Sequence, residues 1–135
     1  MDEDGSGTLW FSGQYEGPET DRPPLIGKAR RGQELELVGM DDKVLAAFNN
    51  YTGAIAANRD AGTVAVSSPQ GNALAVLDAT TGKVVSFQTM VEVCGLAPDH
   101  DSFMATTGRG AVVGGSGKDA HFDDYFWDNH VLRIG

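Results

Sequence analysis

The segment Trp127-Asp128-Asn129-His130 holds the densest set of chemically capable side chains in the chain. On an extended strand successive side chains point to opposite faces, so Asp128 and His130 would share one face and Trp127 and Asn129 the other. A carboxylate and an imidazole on one face can bind a divalent metal, an anion or a polar group of a partner. The same pair can equally form a hydrogen-bond network that fastens one sheet to the next. The pocket expected from the sequence gathers Asp128 and His130 with Tyr51 and Arg109.

The remaining reactive residues point to structure. His100 sits in Pro98-Asp99-His100-Asp101 and His121 in His121-Phe122-Asp123-Asp124. Neither has the spacing of a His-x-x-x-His metal site, and Asp beside His in a short turn serves turn hydrogen bonds. Cys94 is the single cysteine, which excludes an intramolecular disulfide and a paired-cysteine zinc site. A nucleophilic thiol needs a paired base, and nothing in the sequence supplies one, so Cys94 reads as a small buried side chain. The glycine-rich stretch 108–119 fails as a phosphate loop. A Walker loop ending at Gly117-Lys118 needs glycine where Val112 stands and Ser or Thr where Asp119 stands. The dinucleotide fingerprint needs glycine at Val113.

The elements that would position these residues follow from a repeat. Gly53-Ala54-Ile55-Ala56, Arg59-Asp60 and Thr63-Val64-Ala65-Val66-Ser67-Ser68 align with Gly95-Leu96-Ala97, His100-Asp101 and Ser102-Phe103-Met104-Ala105-Thr106-Thr107. Gly53 and Gly95 stand 42 residues apart, a period that suits a four-stranded propeller blade. A third copy begins at Asp4-Gly5-Ser6-Gly7 and continues as Thr8-Leu9-Trp10-Phe11-Ser12. Short runs rich in Val, Ala, Leu and Thr alternate with glycine turns, which is strand-and-turn punctuation. The expected fold is all-β: a partial β-propeller spanning residues 1–135, with about three four-stranded antiparallel blades. Blade one covers about 7–38 and lacks its inner strand; blade two covers about 53–90 and blade three about 94–122. A closing strand follows at about 127–134. One helix is expected over 41–48, capped by Asp41 or Asp42. Val64, Val66, Leu74, Val76, Val84, Leu96 and Phe103 are the expected core.

Composition sets the outer bounds. The 135 residues carry a formal net charge of −9, with 41% hydrophobic and 21% charged residues. That balance fits a folded domain and opposes binding to a nucleic-acid backbone. No apolar run reaches the length of a spanning helix, and Met1-Asp2-Glu3-Asp4 does not look like an export signal.

Asn50-Tyr51-Thr52-Gly53, Ser68-Pro69-Gln70-Gly71, Cys94-Gly95, Thr107-Gly108-Arg109-Gly110 and Trp127-Asp128-Asn129-His130 occur in this order. This ordered set resembles the C-terminal half of a bacterial β-propeller family catalogued as domain of unknown function 1513. Gly13-Gln14-Tyr15-Glu16-Gly17 also fits it. The resemblance implies exported propellers of about seven blades, a periplasmic location and a setting beside imelysin-like iron-uptake proteins. Two functions are expected from different classes. One is a non-catalytic binding or scaffold propeller without a cofactor, linked to envelope iron handling. The alternative is a hydrolase or lactonase-like propeller with a channel metal held by Asp128 and His130. Strand counting further implies a homodimer, in which the 127–134 strand of each copy completes blade one of the other.

Overall fold

A computed structural model describes residues 1–114, 119–132 and 134. Twelve strands and one helix lie among them. The strands are β1 (Asp2–Glu3), β2 (Leu9–Ser12), β3 (Ile26–Ala29) and β4 (Glu36–Val38), then β5 (Ile55–Asn58), β6 (Thr63–Ser68), β7 (Ala73–Asp78) and β8 (Val84–Thr89). They end with β9 (Val93–Asp99), β10 (Ser102–Thr107), β11 (Ala111–Gly114) and β12 (Ala120–His121). Each successive group of four forms one antiparallel sheet whose spatial order is the sequence order. These are three propeller blades, each a meander running from an inner to an outer strand. Helix α1 (Asp42–Phe48) joins the first to the second.

Alternation of side chains gives each blade two faces, and both faces of blade two are covered. Val64, Val66, Ala73, Ala75 and Leu77 pack toward blade one, against Trp10, Ile26, Val38 and Phe48. Ala56, Ala65 and Leu74 pack toward blade three, against Leu96, Phe103 and Ala105. Of the expected core, Val64, Val66, Leu74, Leu96 and Phe103 are buried. Val76 and Val84 are only half-buried. Both lie where β7 meets β8, the outer strand, whose residues 85–89 are all exposed.

Local chemistry explains the turns. The hairpin at Asp78 is held by its carboxylate, whose Oδ1 accepts from Thr81 N (2.7 Å), Thr81 Oγ1 (2.8 Å) and Thr80 N (3.1 Å). Gly82 completes it at φ 71°, a conformation open to a residue without Cβ. Helix α1 begins after Asp41, whose carbonyl accepts from Val44 N and Leu45 N. The Asp41 side chain makes no capping bond, so the expected cap is positional only. Asp42 in the first turn favours the helix dipole, and Asn49 ends the helix in the left-handed region.

Two expectations are corrected. Blade one does not lack an inner strand: Asp2 pairs with Trp10 and Glu3 with Leu9. Two charged residues carry no strand periodicity, which is why the sequence hid them. The closing strand at 127–134 does not form among the described residues 127–132 and 134. The edge of β2 that it was expected to pair with is already taken by β1. Residue 133 of that segment, and residues 115–118 of the glycine-rich stretch, lie outside the described residues.

Candidate functional site

The inner strands are tied together by hydroxyls at one repeat position. Ser67 Oγ donates to Cys94 O (2.6 Å) and accepts from Ala54 N (3.0 Å), so it links β6 to β9 and to the residue that leads into β5. At the equivalent position of blade three, Thr106 Oγ1 accepts from Gly95 N (3.1 Å). The segment after blade three then crosses beside these strands. Cys94 Sγ donates to Trp127 O (3.2 Å). A Cβ on Gly95 would stand 2.5 Å from Val131 Cγ2 and 3.1 Å from Asp128 O. A Cβ on Gly53 would stand 2.9 Å from Asn129 Oδ1 and 2.8 Å from Pro69 Cδ. The two repeat glycines are thus the places where the terminal segment passes too closely for a side chain.

That crossing separates two concavities. The larger, about 840 Å³, opens along the inner strands; Asp2, Ser12, Ala56, Leu96, Asn129 and His130 are among the residues lining it. The smaller, about 220 Å³, is lined by Tyr51, Gln70, Glu92, Cys94, Trp127 and Asn129, together with Pro69 and Gly108. Of the four residues expected at one pocket, Tyr51 borders the small cleft and His130 the large cavity. Arg109 reaches the small cleft through Glu92, whose Oε1 lies 2.9 Å from both its Nε and its Nη2. Asp128 turns back on its own chain, with Oδ1 accepting from Asn129 N at 2.6 Å. Asp128 and His130 do not share a strand face, because the segment is not a strand.

The family model described as protein of unknown function (DUF1513) matches residues 1–134. The chain belongs to this family. No curated protein matches it.

In this DUF1513 chain the titratable groups with clear shifts hold the fold. Burial pushes the Asp4 carboxyl up. Hydrogen bonds from Trp10 Nε1 (2.9 Å), Ser6 Oγ (2.7 Å), and the amides of Thr8 and Ser6 outweigh burial and leave it below its ordinary value. The Thr81 amide and hydroxyl likewise hold Asp78 low. The hydrogen bond from Tyr15 Oη to Asp21 Oδ2 (2.9 Å) keeps the Tyr15 proton on, raising its pKa. His121 pairs with the exposed Asp123 at 3.1 Å, and His100 lies 3.9 Å from Asp99. Among the described residues no group of three or more His, Cys, Asp or Glu is placed to hold a metal. No described helix is long and apolar enough to cross a membrane.

The sequence reading missed two polar anchors of this frame. Asp4 is buried with Trp10 Nε1 on Oδ2. Asn58 is buried between blades, its Nδ2 donating to His100 O (2.9 Å) and Ser102 O (2.8 Å). The signal was present in both cases: each stands just before the turn into the second strand of its repeat.

Proposed function

We propose that this chain is a non-catalytic binding propeller that receives its partner on the inner-strand cavity, with Asn129 and His130 at the contact. The observation that carries this is the wall of the cavity itself. It is built mostly of apolar, hydroxyl and amide groups, and two of its charged side chains, Asp2 and Arg59, are engaged in the fold while Asp60 is exposed. Asp2 Oδ2 accepts from Ala57 N (2.8 Å), and Arg59 Nε donates to Glu3 O (3.0 Å). Such a surface offers shape and hydrogen bonds, the ingredients of recognition. A proton-transfer pair with opposed pKa shifts is the mark of a catalytic site. The cellular setting that goes with this reading is the envelope and its iron supply, as the family resemblance implies.

Elemental analysis of the purified protein, with and without added Ca²⁺, Zn²⁺ and Fe³⁺, tests the reading. Less than a tenth of an equivalent retained after gel filtration is the expected result. A full equivalent of metal that disappears in Asp128→Ala or His130→Ala would overturn it in favour of the metal-dependent hydrolase. Fractionation of cells for the periplasm checks the setting separately.

A further inference from the structure

We draw no further inference here: the strongest candidate, the groove between the hairpins of blades one and two lined by Lys28, Arg30 and Arg59, singles out no ligand, because Glu36 lies 3.2 Å from Lys28, Glu3 lies 3.8 Å from Arg59 and Glu34 lines the groove with Arg30.

Discussion

Two tryptophans sit in opposite circumstances, and the contrast is measurable. Trp10 Nε1 donates to a buried carboxylate, while Trp127 Nε1 is buried with no acceptor among the described residues. Trp10→Phe leaves a charged acceptor short of its donor, at a cost of about 1–3 kcal/mol. Trp127→Phe keeps most of the ring packing against Phe122 and Tyr125 and loses no hydrogen bond, so a change within about 0.5 kcal/mol is expected. Urea melts of the two variants read this difference directly. Asp4 adds a pH dependence to the same network. Its folded pKa lies below its ordinary value, so its charged form is the one the fold favours. The stabilisation is complete above the unfolded value of roughly 3.9 and is lost as pH falls through the folded value. Between about pH 5 and pH 2 the wild type should therefore lose more stability than Asp4→Asn, and thermal melts across that range check it.

At the scale of elements, the terminal segment is the piece whose attachment decides the site. It covers Cys94, which is 4% exposed and donates to Trp127 O. A thiol reagent should therefore reach Cys94 only when the segment lifts. Truncation after residue 124 is expected to accelerate labelling about tenfold or more, each tenfold corresponding to about 1.4 kcal/mol of lost cover. Equal labelling rates would show that the segment does not protect β9. Elements with strong alternation were legible before the structure: blade two, expected over about 53–90, holds β5 to β8 between Ile55 and Thr89. Its residues are small or β-branched and its turns carry Gly62 and Gly82, so local preference and tertiary position agree. The site was less legible. Gly53 and Gly95 marked the repeat, but the reason for both being glycine is a segment arriving from more than thirty residues downstream. No local pattern encodes that approach, and Asp128 and His130 could not be separated without it.

For the whole molecule, blade two is the part on which the packing of the other two depends, because it contributes a face to each of the two core clusters. Leu77 is fully buried in the cluster shared with blade one, and Leu74 is buried in the one shared with blade three. Truncation of either to Ala removes apolar contacts and leaves a cavity, at a cost of about 2–5 kcal/mol. Leu37, on β4 of blade one, is 56% exposed, so Leu37→Ala should change stability by no more than about 0.5 kcal/mol. Urea melts of the three variants check this ordering, and a Leu77→Ala variant as stable as Leu37→Ala would mean that the contact between blades one and two does not hold the fold.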